Sequence, residues 1–361
     1  MLQLVGVHPL VREILAVRGK ADAGQVRRIG ARTEVPLRWV NQIPPSPAKG
    51  NQKLEDERGI LVLTDRSSPF IQRFEHPKGV CCRFYKLSAY NSCNYWCEYC
   101  FLYQTFYMRP QSIHYVNYDR LRSELHAFSR ADIAPRFRVL NLGELGDPLA
   151  IDDITGFAQE IIPSAAILPN VRLLFLTKSD QVDNLLRLDH NGKVILSWSL
   201  NCDLIARKLE HRTPPPHGRI EAAHRAQDAG YEIRLRFDPL FPFQGWEQAY
   251  AALYESALAR INPSVVTLGT YRPNRGLAQH IASRFPLSQL LTLNDALQSD
   301  AGKQRFGAER RVALYRHAVR HIRRLRPETK IALCKEPKEI WDACGLIFNL
   351  CNCLGESRHG P

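Results

Sequence analysis

The sequence predicts an α/β fold, a six-stranded partial (β/α)6 barrel with N- and C-terminal extensions, and three observations carry that prediction. Short apolar strands alternate with helical stretches from Cys82 to Gly269. That alternation is the mark of parallel βαβ units, whose right-handed crossovers curl a sheet. A cysteine-rich loop follows directly on the first strand, at the end where β/α architectures gather their chemistry. At 361 residues, one barrel with extensions is the economical reading, divided as residues 1–75, 76–285 and 286–361.

The first strand is read from Cys82-Arg-Phe-Tyr-Lys-Leu-Ser-Ala-Tyr90, which is rich in β-formers. A helix near Tyr118 to Arg130 leads to the strand Arg136-Phe-Arg-Val-Leu-Asn-Leu142. A helix from about Asp152 to Ala166 leads to Val171-Arg-Leu-Leu-Phe-Leu-Thr177, the clearest buried strand. A helix near Asp180 to Leu188 stops at Asn191-Gly192, before Lys193-Val-Ile-Leu-Ser-Trp-Ser199. After the prolines at 214 to 216 come a helix, the strand Tyr231 to Phe237, a helix near Trp246 to Arg260 and the strand Ser264 to Gly269.

The flanks are less patterned. Asn41-Gln-Ile-Pro-Pro-Ser-Pro-Ala-Lys-Gly50 cannot continue a helix or a sheet. Arg27, Arg28, Arg32 and Arg38 with Trp39 read as an exposed linker, the alternative being contacts to phosphates or a base. Glu309 to Arg326 puts Val312, Tyr315, Val319 and Ile322 on one helical stripe and leaves Arg316, Arg320, Arg323 and Arg324 for a solvated face.

Hydrophobic residues make up 45 % of the chain, ordinary for a globular protein, and no run approaches the length of a membrane-spanning helix, so no membrane partner is expected. The first eight residues lack a basic segment and a small-residue cleavage site, so no export signal is read. Ten cysteines are too sparse for a disulfide scaffold, and their clustering suits ligation in a reducing cytoplasm. The 49 Lys and Arg against 36 Asp and Glu give a net charge of +13, a field that favours a polyanion such as nucleic acid; a basic solvated surface accounts for it equally well.

The chemistry concentrates in Cys93-Asn-Tyr-Trp-Cys97-Glu-Tyr-Cys100-Phe101, a C-x3-C-x2-C stretch. Three thiolates here ligate three corners of a [4Fe–4S] cluster and leave the fourth iron open to a cofactor. The alternatives are a zinc site closed by Cys81, Cys82 or His114, and three unliganded thiols. A second group, Cys334, Cys344, Cys351 and Cys353, matches the ligand count of an auxiliary iron–sulfur cluster or zinc site. For Cys334, at a strand end, a hydrogen-atom donor is an alternative role, and buried structural thiols are another for the group.

The triad and its following aromatic resemble the radical S-adenosylmethionine (SAM) superfamily. Within it, Cys97-Glu-Tyr99-Cys100, Leu176-Thr-Lys178, Asp189-His-Asn-Gly-Lys193, Ser197-Trp-Ser-Leu-Asn201, Arg219-Ile-Glu-Ala-Ala223 and Gly245-Trp246 resemble spore photoproduct lyase and its lyase-like relatives, from about Lys86 to Cys334. The resemblance implies a lyase-like enzyme in which Cys93, Cys97 and Cys100 hold the cluster, SAM is the cofactor, and a flavodoxin or ferredoxin supplies electrons. It implies that Lys178 pairs with the SAM carboxylate, Ser199 and Asn201 lie near the ribose and methionine portions, and Glu144 accepts from the SAM amino group. Strand-end capping for Ser199 and Asn201, and a helix-start carboxylate for Glu144, are the plainer roles.

Two departures bear on the substrate. Glu144 stands where spore photoproduct lyase has its hydrogen-donating cysteine, and no cysteine lies between Cys100 and Cys202. Tyr99 matches a relay tyrosine, but Phe101 replaces a second relay member. The resemblance therefore implies radical chemistry on a nucleic acid or nucleotide other than the thymine dimer. A peptide or small-metabolite substrate with carbon–sulfur chemistry, and a zinc-stabilised nucleic-acid-binding protein without turnover, are the competing expectations.

Overall fold

The longer apolar runs become strands, joined by short polar ones, in the computed structural model, which describes residues 8–45, 57–75, 81, 83–131, 138–294, 296–300, 303–348 and 351–354. In chain order these are β1 (Glu13–Val17), β2 (Leu37–Val40), β3 (Ile60–Thr64), β4 (Ile71–Phe74), β5 (Phe84–Leu87), β6 (Tyr90–Asn91), β7 (Trp96–Cys97), β8 (Ser112–Tyr115), β9 (Arg138–Asn141), β10 (Val171–Thr177), β11 (Val194–Ser199), β12 (Glu210–His211), β13 (Glu232–Leu240), β14 (Val265–Thr270), β15 (Gln298–Asp300), β16 (Lys303–Arg305) and β17 (Lys330–Leu333).

The main sheet runs β17-β14-β13-β11-β10-β9-β5-β4, parallel throughout except for the antiparallel pair β4 and β5. All six strands read from the sequence are present. β4 and β17 extend the two edges, and because these edges do not pair with each other the barrel is partial. Side chains alternate between the two faces of a strand. The register sets Ser199 beside Arg236, Arg236 beside Thr267 and Thr267 beside Ala332, so these residues share the inner face with Asn141, Leu176 and Asp238. The outer face carries Leu173, Leu196 and Leu235, all fully buried under the helices.

The region ahead of the barrel is folded. β1, β2 and β3 form a second sheet with β8 and β6, in the order β2-β1-β3-β8-β6. Arg27, Arg28 and Arg32 therefore do not lie on an exposed linker: the first two belong to the helix Ala23–Gly30, capped by Asp22, and Arg32 bonds Gln159. Arg38 and Trp39 lie in β2, with Arg38 paired to Glu13. The breaker-rich residues 46–50 lie outside the described residues.

Two helices differ from their sequence reading. Asp180 to Leu188 forms consecutive tight turns, with Leu185 N–H bonding Val182 O at 2.8 Å and Leu188 N–H bonding Leu185 O at 2.9 Å. Val182 and Leu185 are wholly buried at a spacing of three, which suits a turn better than the 3.6 period of a helix. The span from Asp152 to Ala166 is two helices, Asp152–Thr155 and Phe157–Ala166, separated at Gly156, whose φ of +60° ends the first.

The helix Ala308–Leu325 docks as expected through Tyr315 and Ile322, and its buried stripe is completed by Leu314 and Ala318. Arg316, Arg320, Arg323 and Arg324 are exposed. No helix among the described residues is long and apolar enough to cross a membrane.

Candidate active site

The cysteine loop is clamped from two sides. β7 pairs with β12, placing Cys97 opposite Glu210 and Trp96 opposite His211. His211 Nε2 meets Glu98 at 2.7 Å, and the Arg212 guanidinium stacks on the Trp96 ring at 3.7 Å. On the other side Arg58, 1 % exposed, donates to the Cys93 carbonyl at 2.5 Å, and its own carbonyl accepts from Asn94 at 2.7 Å. Beneath the loop the apolar residues of β1 and β3 form a core that includes Tyr95 and Cys97. The N-terminal sheet is thus the backing of the thiol loop.

The three thiols face one cavity of about 300 Å³, together with Tyr99, Phe101, Glu144, Lys178 and Ser199. Burial pushes the Cys93 thiol up to about 12, reinforced by Asp147 and Cys100 and opposed by Arg58. Cys97 is held well above the ordinary range by burial, against the pull of Lys178, and Cys100 is raised by burial against Arg58. Such thiols lose their protons when metal supplies the compensating positive charge. Three mutually interacting soft sulfurs on one cavity fit the corners of an iron–sulfur cluster.

A mononuclear zinc site fits less well. Among the described residues no three His, Cys, Asp or Glu side chains converge on a single-ion position, whereas zinc draws its sulfurs to about 2.3 Å from one centre. His114, a candidate closing ligand, is buried, hydrogen-bonded to Tyr118 and pushed down to about 3 by burial. It does not line the cavity. Cys81 does, and Cys82 lies outside the described residues.

Lys178, at the end of β10, donates to Ser199 Oγ at 2.9 Å and lies 3.9 Å from Glu210. Glu210 also accepts from the Tyr99 hydroxyl and pairs with the wholly buried Arg219 at 2.7 Å. Burial works to raise its carboxyl, but Arg219 and then Lys178 hold it below its ordinary value. Asp147 fixes the strand end by accepting from Thr177 Oγ1 at 2.7 Å and from the Lys178 amide at 2.7 Å. Gly143 and Gly146 let this segment approach: a Cβ on Gly146 would stand 2.3 Å from the Ser92 carbonyl, and one on Gly143 would stand 2.4 Å from Leu176 Cβ.

Asn201 is not brought to the cavity. It is 1 % exposed, its amide donates to Pro239 O at 2.8 Å, and its carbonyl accepts from the Cys202 amide and the Tyr250 hydroxyl. It caps the strand end, the plainer of its two expected roles.

The cavity's other wall comes from β13, β14 and β17. Asp238 accepts from Arg236 at 2.6 Å and from Arg272 at 2.7 and 2.8 Å. These two guanidiniums hold its carboxyl well below the usual range against the opposing effect of burial. Both also donate to Cys334 Sγ, at 2.9 and 3.2 Å. Cys351 and Cys353 face the same cavity. Cys344 does not: it lines a separate surface hollow with Trp246 and Arg316. The expected four-cysteine metal site is therefore not assembled, because the helix Lys338–Ala343 turns Cys344 away from the barrel interior.

Sequence reading missed Arg58, Glu210, Arg236, Asp238 and Arg272. A signal existed for two of them: Glu232, Arg234, Arg236 and Asp238 recur at every second position of the strand, placing four charges on one face. Glu210 and Arg58 carry no local pattern, since their partners are distant in the chain.

Comparison with known proteins bears on this geometry. A family model described as "Spore photoproduct lyase" matches residues 71–331. Spore photoproduct lyase of Bacillus subtilis (strain 168) is 28 % identical over 226 residues, covering 62 % of this chain and 64 % of the relative. That of Geobacillus sp. (strain Y412MC61) is 27 % identical over 212 residues, covering 57 % and 62 %. These alignments span somewhat less than two thirds of each relative's own length. A solved spore photoproduct lyase complexed with dinucleoside spore photoproduct superimposes with a TM-score of 0.79 at 21 % identity, covering 90 % of this chain and 99 % of that one. A mutant with bound AdoMet and dinucleoside spore photoproduct gives 0.78, also at 21 % identity, covering 89 % and 98 %. These superpositions establish the shared fold.

Proposed function

Because the chain belongs to the spore photoproduct lyase family, we propose that it is a radical SAM enzyme. In this reading Cys93, Cys97 and Cys100 hold a [4Fe–4S] cluster, SAM is cleaved reductively, and a hydrogen atom is then taken from a nucleic-acid or nucleotide substrate. The observation that carries the reading is that three thiols from one loop, Lys178 and Ser199 line a single cavity. The cluster, when bound, supplies the electron that breaks SAM into methionine and a 5′-deoxyadenosyl radical.

The chain's own residues bind and orient. Lys178 is tethered to Ser199 at 2.9 Å and only loosely to Glu210 at 3.9 Å, so its ammonium turns to a cofactor carboxylate without leaving its anchor. Glu144, on the cavity wall, receives the amino group. The Glu210–Arg219 pair anchors Tyr99, and with it the cluster loop. The loop packs against the N-terminal core, which buries Cys97 on that side.

The nucleic-acid substrate is supported by the positive wall. Lys303, Lys335 and Arg272 line the cavity, and burial together with Lys335, Arg272 and Arg305 pushes the Lys303 ammonium down to about 8. Phosphate relieves that crowding. The solved relatives are described with a dinucleoside photoproduct bound, which points to the same substrate class. A flavodoxin or ferredoxin is the electron donor in this reading.

Anaerobic reconstitution tests it. Iron, sulfide and a reductant should give visible iron–sulfur absorbance and reductant-dependent 5′-deoxyadenosine, and Cys97→Ala should remove both. Zinc content with neither signal rejects the proposal in favour of a binding protein. Oligonucleotide affinity should fall steeply as salt rises, since phosphate contacts release counterions. Salt-independent binding points instead to a peptide or small-metabolite substrate.

A further inference from the structure

Abstracting a hydrogen atom leaves a carbon radical in the cavity, and the radical is closed by an X–H bond weak enough to break homolytically. The cavity's three phenols are engaged elsewhere, Tyr95 with Ser179, Tyr99 O–H with Glu210 and Tyr271 O–H with Asn294 at 3.2 Å. Thiols outside the cluster loop remain: Cys81, Cys334, Cys351 and Cys353 line the cavity. Cys81 is half-buried and open to solvent, where Cys353 is buried. Cys334 is used as an acceptor by two guanidiniums, which only donate. The pair at the C-terminal end is arranged differently.

Residues 351–354 are pinned on the barrel's inner face. Arg234 Nη1 donates to the carbonyls of Asn352 at 2.6 Å and Leu354 at 2.8 Å, and the buried Asn352 side chain bonds Ser197 Oγ at 3.2 Å. This presents Cys351 and Cys353 to the cavity on either side of Asn352. Cys353, 8 % exposed, accepts a hydrogen bond from the Asn141 amide at 3.4 Å, at the end of β9 and beside the segment that carries Glu144. Its hydrogen bond with Cys351 and then its burial raise the Cys353 thiol well above the ordinary range, so it is a neutral S–H at physiological pH.

Resting on the radical reading above, we propose that Cys353 is the hydrogen-atom donor to the substrate radical, with Cys351 as its adjacent proton source. The Cys353 S–H bond breaks homolytically and its hydrogen forms a C–H bond on the substrate. The carbon is thereby reduced by one electron and gains one proton, and the sulfur is oxidised by one electron to a thiyl. One electron from a carrier of the flavodoxin or ferredoxin class and one proton passed from Cys351 restore the thiol, and solvent reprotonates Cys351.

Thiol hydrogens exchange with solvent, and that gives the test. Reconstituted enzyme is equilibrated in D2O and given SAM and dithionite without substrate, so that the adenosyl radical is quenched from the cavity. Wild-type protein should yield 5′-deoxyadenosine carrying one solvent deuterium. Cys353→Ala should lower the labelled fraction at least about fivefold, whereas Cys344→Ala, outside the cavity, should leave it as in wild type. Cys353→Ser keeps the size of the side chain but offers an O–H bond too strong to break this way, and should behave like Cys353→Ala.

Equal labelling in wild type and Cys353→Ala, or loss of label only in Cys334→Ala or only in Cys81→Ala, overturns this assignment and leaves the radical reading standing. Absence of 5′-deoxyadenosine from wild type overturns both. A readout free of turnover uses cluster-free protein: iodoacetamide at neutral pH should modify Cys353 about tenfold more slowly than Cys81, as a buried neutral thiol requires. Equal rates overturn the assignment.

Discussion

The two walls of the cavity are built on the same plan and differ in what they leave over. Each is braced by a buried carboxylate holding two cations, Glu210 with Arg219 and Lys178 behind the one, Asp238 with Arg236 and Arg272 on the other. On the cysteine side one cation sits 3.9 Å away and is loosely held. On the far side both guanidiniums are bound at 2.6 to 2.8 Å, and the surplus positive charge falls on Lys303 and Lys335 beside them. The difference separates two tasks. A loosely tethered lysine is suited to a cofactor that comes and goes, and a tightly paired scaffold with surplus charge is suited to a polyanion.

The largest effect expected from breaking this symmetry is at Asp238. Asp238→Asn leaves two buried guanidiniums without a counter-charge and should cost about 4 kcal/mol, read from denaturant unfolding of the cluster-free protein. Glu210→Gln strands one fully buried guanidinium and should cost about 3 kcal/mol. It should also weaken SAM binding about tenfold by freeing Lys178, an effect that Asp238→Asn should not share. If Glu210→Gln proves the costlier, the cysteine wall is the more tightly built and the division of tasks fails.

The same contrast explains how far the sequence could be read. The thiol wall comes largely from one contiguous stretch, so Cys93, Cys97 and Cys100 are legible by spacing, and Tyr99, Lys178 and Ser199 through the family resemblance of the motifs that hold them. The far wall is gathered from β13, β14, β16, β17 and the C-terminal segment, and no local pattern announces that Arg272 will meet Asp238. The barrel strands were legible because they are largely apolar and buried, as in Val194–Ser199. β1 and β3 are also apolar, in Ile14-Leu-Ala-Val17 and Ile60-Leu-Val-Leu63, but the breakers after Asn41 separate them and no single helical crossover pattern links the two runs. The Asp180 to Leu188 stretch misled because buried positions three apart satisfy a helical pattern and a series of turns alike.

A smaller effect sharpens the account of the cysteine wall alone. Gly146→Ala places a Cβ 2.3 Å from the Ser92 carbonyl, so the Leu142–Asp147 segment or the cysteine loop has to move. Overpacking of this kind should cost about 2 kcal/mol and lower the iron content after reconstitution. Gly192→Ala is the useful contrast: its φ of +65° strains an alanine, but nothing lies within 4 Å, so stability alone should fall and iron content should hold.

The smallest effect is on the far wall and depends on pH. In the folded chain Lys303 releases its proton near 8, because burial and then the neighbouring Lys335, Arg272 and Arg305 disfavour its charge. Unfolded, it keeps the proton to the ordinary lysine value of about 10.4. Between these values the unfolded state binds more protons, so stability rises with pH through that window, and below it the charged lysine is a standing cost of about 1 kcal/mol after allowance for partial exposure. Lys303→Met should remove the rise and stabilise the protein at neutral pH while weakening oligonucleotide binding. Phosphate should act in the opposite sense on the wild type, raising its neutral-pH stability and flattening the same rise, because a bound anion returns the Lys303 proton to favour. A rise that persists in Lys303→Met, or that phosphate leaves untouched, would put the surplus charge of this wall elsewhere.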